Sequence, residues 1–331
     1  MKTITLVVLL FVFSIKAVAV HKIRYEDRIR IAEAYKIAAL YSDKIWNNWD
    51  KAPFALLLIY ENNEFLINHP SPSKDFKSIG FDSLLNSNIY YRKRVFNKKF
   101  LATFPAVNNI PTIVVGTPEN TGKSTIDWII TILHEHFHQY QYSQPDYYNN
   151  VNKLNLSRGD STGMWMLNYP FPYEDKKINA AYDSCKKALA QIFKSKDDWQ
   201  FKDLYKAFKN KRAHLKESLQ ENDYKYFSFQ LWQEGIACYT EIKLMQLLLA
   251  NNYVFSKEVQ NIKDYKPLKD HYKDYYTNAL NLIDDLSLRD SKRICFYAFG
   301  AFEGLLLDKV NPSWKKNYFK KKFFIGKYYS N

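Results

Sequence analysis

Two histidines four residues apart enclose a glutamate in the run His134-Glu135-His136-Phe137-His138, which matches the pattern H-E-x-x-H. The surrounding segment, Ile126 to Tyr140, carries apolar residues with helical period, so His134 and His138 lie on one helix face, one turn apart. Two imidazoles in this arrangement can bind a single zinc ion, while the glutamate between them addresses the water bound to that metal. The pattern therefore predicts a hydrolytic metal site.

The third histidine of the run, His136, is two positions from each of the others and lies on a different side of the helix. We expect it either to hold a metal ligand in place or to be structural. Zinc needs one more protein ligand. In one large branch of these enzymes that ligand is a histidine six residues after the second, preceded by a glycine, but Gln144 and Gln141 occupy the corresponding positions here. That branch is excluded.

A carboxylate from a second helix is the remaining option, and Glu234 is the best candidate. It precedes Gly235 and Ala237 in an otherwise bulky helical segment, and small residues allow two helices to approach closely. A charged glutamate in such an apolar setting is costly unless it is paired, and a zinc ion would compensate it. The alternative is that Glu234 is an ordinary surface glutamate near a helix start.

H-E-x-x-H followed well downstream by E-G-x-A-x-Y-x-E, at residues 234–241, resembles the gluzincin zinc metallopeptidases, the thermolysin-like group. The resemblance covers residues 122–143 and 228–250. It implies one zinc ion per chain held by His134, His138 and Glu234, with Glu135 as the general base. The family places an aspartate four residues after the ligand glutamate, whereas this chain has Cys238 there. Glu241, two turns along on the same face as Glu234, is then the candidate for orienting the first histidine through a hydrogen bond.

The resemblance also implies a donor for the oxyanion, because related enzymes place a tyrosine on a later helix. Tyr297 is the candidate, and the alternative is that it is a plain core aromatic. We expect His214 and His271, both in lysine-rich segments, to be solvated bystanders, although His214 is an alternative donor.

These residues predict a zinc-dependent peptidase in which Glu135 takes a proton from the metal-activated water and passes it to the leaving amine. Two alternatives stay open. One is a catalytically silent zinc-binding or envelope-binding protein on the same scaffold, against which the retention of Glu135 argues. The other is a zinc hydrolase of a non-peptide amide or ester, which faces the same transition-state problem.

The periodicity of the chain predicts an α+β fold. A helix is expected over about 25–49, followed by a hairpin at 54–68 and short strands at 89–91, 100–104 and 112–115. Further helices are expected at about 122–143, 173–195, 199–219, 223–251, 267–288 and 291–309. This pattern divides the mature chain into a subdomain at 20–121, with a helix and a small, mostly antiparallel sheet, and a helical, zincin-like catalytic lobe at 122–331, with the active site at their junction.

Substrate is expected to contact the strand from Thr112 to Gly116, if that strand is an edge strand that pairs with an extended peptide. The irregular stretch from Gly159 to Pro172 is expected either to roof the cleft or to form apolar packing under a long loop.

The N-terminus reads as a signal peptide over residues 1–19, with an apolar run and the small-x-small site Ala17-Val18-Ala19. No cysteine directly follows the apolar run, so we expect a secreted or periplasmic protein without a lipid anchor or a membrane span. The alternative is a retained N-terminal anchor. Three cysteines cannot form a disulfide framework. The net charge of +14 favours weak attraction to anionic envelope polymers, but no recognition motif accompanies it, so specific nucleic-acid binding is not expected. The expected partner is a peptide or protein substrate.

Overall fold

The computed structural model describes residues 22–329, and the predicted signal peptide lies outside them. The predicted α+β class is confirmed: one six-stranded sheet forms early in the chain, and the rest is mostly helical. The division into subdomains near residue 121 stays a prediction.

The strands are β1 (Leu56–Ile59), β2 (Asn63–Ile67), β3 (Lys77–Asp82), β4 (Ser87–Lys93), β5 (Leu101–Val107) and β6 (Ile110–Gly116), in the spatial order β3-β4-β2-β1-β6-β5. Every neighbouring pair is antiparallel except β1 with β6, which is parallel. This parallel pairing places β6 inside the sheet, so the expectation that Thr112 to Gly116 form an edge is wrong. The edge strand at that end is β5.

The helices are α1 (Tyr25–Ile45), α2 (Pro118–Thr121), α3 (Thr125–Tyr142), α4 (Tyr147–Lys153), α5 (Trp165–Asn168), α6 (Lys176–Lys194), α7 (Phe201–Ser218), α8 (Glu221–Gln230), α9 (Ile236–Ala250), α10 (Lys257–Gln260), α11 (Leu268–Asp285), α12 (Leu288–Ser291), α13 (Cys295–Val310) and α14 (Lys315–Tyr318). Short 3-10 turns cover Trp49–Lys51, Asp198–Gln200, Lys292–Ile294 and Ile325–Tyr329, and a π-helical segment at Leu231–Gly235 joins α8 to α9 without a break. The predicted long helices are thus confirmed to within a few residues.

Both faces of the central strands are covered. Alternation along β1 sends Leu56 and Leu58 into the main core and Leu57 and Ile59 into a small second cluster on the opposite face. Helix α3 lies on the main-core face, where the Nε2 amide of Gln139 donates to two backbone carbonyls at the starts of β1 and β6, at 2.9 and 3.0 Å. This buried amide fixes the histidine helix against the sheet.

Among residues 22–329, no helix has the length and apolar character needed to cross a membrane. Cys185, Cys238 and Cys295 are all free thiols.

Candidate metal centre

Helix α3 carries the paired histidines into the interior. It starts after Ser124, whose hydroxyl caps the backbone N–H of Asp127, as expected for a serine at this position. His134, Glu135 and His138 are all buried, with exposed fractions of 8, 6 and 4%. Burying a polar group in the protein interior costs free energy unless the group has a hydrogen-bond or charge partner, so each of these side chains needs a partner within the fold.

His134, His138 and Glu234 converge. The two Nε2 atoms are 3.1 Å apart, and Oε2 of Glu234 lies 3.5 Å from Nε2 of His138 and 4.0 Å from Nε2 of His134. Four-coordinate zinc with ligand bonds of about 2.0–2.1 Å requires ligand atoms roughly 3.3 Å apart. The separations of 3.1 and 3.5 Å match this within about 0.2 Å, the separation of 4.0 Å between Glu234 and His134 is longer, and two imidazoles with one carboxylate are a donor set that zinc accepts. The three residues fit a zinc ion.

Glu241 orients His134. Its Oε1 accepts a hydrogen bond from Nδ1 of His134, and its Oε2 accepts one from the hydroxyl of Tyr275 on α11 at 2.6 Å. A carboxylate can only accept, so Nδ1 carries the proton and the lone pair of Nε2 faces the cluster. This is the arrangement in which an outer carboxylate fixes the tautomer of a metal-binding histidine.

Two glutamines orient His138. Its Nδ1 donates to Oε1 of Gln141 at 2.7 Å, and the same oxygen accepts from Nε2 of Gln233 at 3.0 Å. The amide of Gln141 donates in turn to the backbone carbonyls of Trp232 and Gln233, both at 3.1 Å. Gln141, which stands where one branch of zinc peptidases has a glycine, therefore links α3 to the π-helical segment that carries Glu234.

Glu234 lies in the π-helical segment, and local widening of a helix of this kind is frequent at functional sites. A Cβ added to Gly235 would lie 2.5 Å from Cα of Gly300, and one added to Gly300 would lie 2.7 Å from Cα of Gly235. The small residue after Glu234 thus allows close approach to α13. Burial favours the protonated form of Glu234, but the charges of His138, His134 and Arg293 outweigh burial and lower its pKa.

Glu135 is held by the edge strand. The hydroxyl of Thr103 in β5 lies 2.8 Å from Oε2 of Glu135 and 2.9 Å from its backbone oxygen, so it can donate to either. The charge of Glu135 contributes to the raised pKa of His138, which places the carboxylate beside the ligand cluster. Its Oε1 has no hydrogen-bond partner among the described residues, so one oxygen is free to accept a proton.

Tyr297 lies on α13, the helix that contacts the segment carrying Glu234. Burial first, and the carboxylate of Glu234 second, raise the pKa of its phenol well above the usual range. Its hydroxyl accepts a hydrogen bond from Nη1 of Arg293, and within residues 22–329 no group accepts its own proton. Tyr142, one turn after His138, is a second phenol whose pKa is raised by burial and by Glu234. The ring centroid of Tyr142 lies 6.5 Å from that of His138.

Cys238 belongs to a second group that could hold a metal, with His134 and Glu241. One observation favours the first group: Glu241 and His134 are hydrogen-bonded directly to each other, which leaves no room for an ion between those two atoms.

The other three histidines have different environments. His136 is stacked on Phe54 with ring centroids 3.9 Å apart, and burial lowers its pKa to about 4, so its role here is structural packing. His214 is exposed on α7, as expected. The expectation that His271 is solvated is wrong: only 6% of it is exposed, its Nε2 lies 3.4 Å from a carboxylate oxygen of Asp127, and burial lowers its pKa. The lysines around it occupy the outer face of α11.

The stretch from Gly159 to Pro172 packs on α8. The backbone oxygen of Met166 accepts hydrogen bonds from Gln230 at 2.6 Å and from Tyr226 at 3.0 Å, and Tyr169 stacks on Tyr226 with centroids 4.5 Å apart. Trp165 is buried against Phe229. Of the two expectations for this stretch, apolar packing under a loop therefore applies to Trp165.

Comparisons with protein-family models, with curated proteins and with solved structures found no match.

Several residues that surround the cluster were not predicted from the sequence, namely Thr103, Gln141, Gln233, Tyr275 and Arg293. Gln141, one turn after His138, and Gln233, beside Glu234, had a positional signal, whereas the other three come from distant parts of the chain.

Proposed function

We propose that this chain is an exported, zinc-dependent metallopeptidase of the gluzincin type that hydrolyses peptide bonds. The observation that carries the proposal is the convergence of His134, His138 and Glu234, whose ligand atoms lie 3.1 to 4.0 Å apart. A buried site of this kind, with a separate carboxylate beside it, has the parts that a hydrolase needs.

Bound zinc would supply the Lewis acidity that polarises a carbonyl and makes a water acidic near neutral pH. The protein residues would do the rest. Glu135, with one oxygen near the hydroxyl of Thr103, takes a proton from the attacking water through its other oxygen and delivers it to the leaving nitrogen as the C–N bond breaks. Tyr297 donates a hydrogen bond through its O–H to the oxygen of the tetrahedral species, because Arg293 already occupies a lone pair of that hydroxyl.

The edge strand β5 favours a peptide substrate. Its outer side is unpaired within the described sheet, and Thr103, which contacts Glu135, lies in it. The register of β5 shifts between Phe104 and Val107, and Pro105 lacks an N–H, so the part able to pair regularly is Leu101 to Phe104. An extended peptide added there lies next to the general base.

The test measures zinc content and cleavage together. We expect one zinc ion per chain and cleavage of an unstructured protein substrate. Glu135→Gln abolishes turnover and leaves the zinc content intact, and the matched control Glu217→Gln, at an exposed position on α7, changes neither. Zinc binding without cleavage of any peptide would contradict the proposal and favour a silent zinc-binding protein or a hydrolase of another amide or ester.

A further inference from the structure

Arg293 is a half-buried cation beside the ligand cluster that has no carboxylate partner within residues 22–329. Its Nη1 donates to the hydroxyl of Tyr297, and its guanidinium lies 5.6 Å from the centre of the same ring. The other guanidinium N–H groups have no protein acceptor in this part of the chain, and none of them is sealed from solvent. They are available to a ligand.

The other arginines show how unusual this is. The six at positions 24, 28, 30, 92, 212 and 289 each form an ion pair with a carboxylate. Arg94 donates to the backbone oxygens of Glu61 and Phe96, and Arg158 is exposed. A guanidinium withdrawn from water is costly unless an acceptor replaces the lost hydration. Arg293 differs from the six paired arginines because its one hydrogen-bond acceptor among the described residues is a neutral hydroxyl.

The helix contact at Gly235 and Gly300 places Arg293 next to the site. Glu234 precedes Gly235, Tyr297 lies about one turn before Gly300 on α13, and Arg293 lies one turn earlier still. The guanidinium and the tyrosine thus lie on the same stretch of chain that contacts the segment carrying the ligand glutamate.

The distances along a peptide identify what Arg293 can bind. If Tyr297 meets the carbonyl oxygen of the cleaved bond, then Nη1, which is hydrogen-bonded to that hydroxyl, lies about one residue from that carbonyl along an extended substrate. Of the two ends of a peptide, only the C-terminal end is a carboxylate. A planar, forked guanidinium matches a carboxylate better than any neutral group at that position.

We propose that Arg293 binds the C-terminal carboxylate of the substrate, so that the enzyme removes the last residue of a peptide. This inference rests on the proposed function. An acidic side chain next to the cleaved bond offers the same chemistry, and the experiment below separates the two sources.

The test uses equilibrium binding to the zinc-loaded Glu135→Gln protein, which does not turn the ligand over, measured by calorimetry. The probes are acetyl-phenylalanyl-phenylalanine as the free acid, the same dipeptide as its C-terminal amide, and acetyl-phenylalanyl-glutamic acid α-amide. We expect the free acid to bind about 10- to 100-fold more tightly than the phenylalanine amide, the range for hydrogen bonds to a charged group.

Arg293→Ala should abolish this preference. Arg293→Lys, which keeps the positive charge but lacks the forked guanidinium, should retain part of it. The matched control is Arg289→Ala, an exposed arginine of the same segment that pairs with Glu174 at 2.8 Å, and it should keep the full preference. Circular dichroism establishes that each variant is folded.

Equal affinities for acid and amide, a preference that survives in Arg293→Ala, or no binding of any probe would overturn the inference. Binding of the glutamic acid amide as tight as that of the free acid would overturn the C-terminal assignment and assign Arg293 to acidic side chains. Because no probe is cleaved in this assay, a wild-type protein that binds the free acid but hydrolyses nothing would refute the peptidase proposal separately.

Discussion

Replacing Glu241 with glutamine should weaken zinc binding without removing a ligand. Each oxygen of Glu241 accepts one hydrogen bond, from His134 and from Tyr275. Glutamine keeps a single acceptor and loses the charge, and a charged acceptor contributes about 1–2 kcal/mol more than a neutral one. The dissociation constant for zinc should therefore rise by about 5- to 30-fold.

Competition with a chromophoric chelator measures this change. Tyr275→Phe, which leaves Glu241 charged but removes one of its hydrogen bonds, should show a smaller effect in the same direction. Cys238→Ser should leave the affinity unchanged, because the thiol is not a ligand in this account. An unchanged affinity in Glu241→Gln would refute the orienting role. Loss of zinc in both Glu241→Gln and Cys238→Ser would instead favour the second group of candidate ligands.

Tyr297→Phe should lower kcat by about 100- to 1000-fold with unchanged zinc content, the cost of removing one oxyanion donor, whereas a comparable loss in Tyr142→Phe alone would show that the donor is misassigned. Gly300→Ala should destabilise the fold in urea unfolding by about 1–3 kcal/mol or more, because its Cβ would lie 2.7 Å from Cα of Gly235, and wild-type stability would contradict that contact. His136 is neutral in the fold, since its pKa is lowered from 6.5 to about 4, so its contribution is present above pH 6.5 and is lost as the pH falls. Wild type should lose about 2 kcal/mol more than His136→Phe between pH 7.5 and pH 5, and equal losses would contradict its burial.

The fold could be predicted where its signals are local. Helical periodicity located α6, α7 and α11 because each buries one face and leaves the other exposed, and it also located α3 and α13, in which nearly every residue is buried. The strand β3 was missed because almost all of it is exposed and Gly80 interrupts it, so it has no alternation of apolar residues. The interior position of β6 follows from its parallel pairing with β1, more than fifty residues away, which no local pattern records.

The candidate site divides in the same way. His134 and His138 could be found because one turn of helix fixes their relation, and Glu234 because a metal with two histidines needs a third donor. Thr103 and Arg293 could not be found, since their relation to the cluster depends on how β5 and α13 pack around α3 and the π-helical segment. Metal ligands can thus be predicted in part from a sequence, whereas the positions of the groups that orient them depend on tertiary packing.

Zinc analysis of Glu234→Ala beside the wild-type protein tests the central claim most directly. After purification and dialysis against zinc, elemental analysis should find one zinc ion per wild-type chain and per chain of the control Glu217→Ala. Glu234→Ala, folded by circular dichroism, should lose the ion on dialysis against a chelator concentration that wild type withstands. Retention of one zinc ion by Glu234→Ala at wild-type affinity would contradict the assignment of the third ligand and the function built on it.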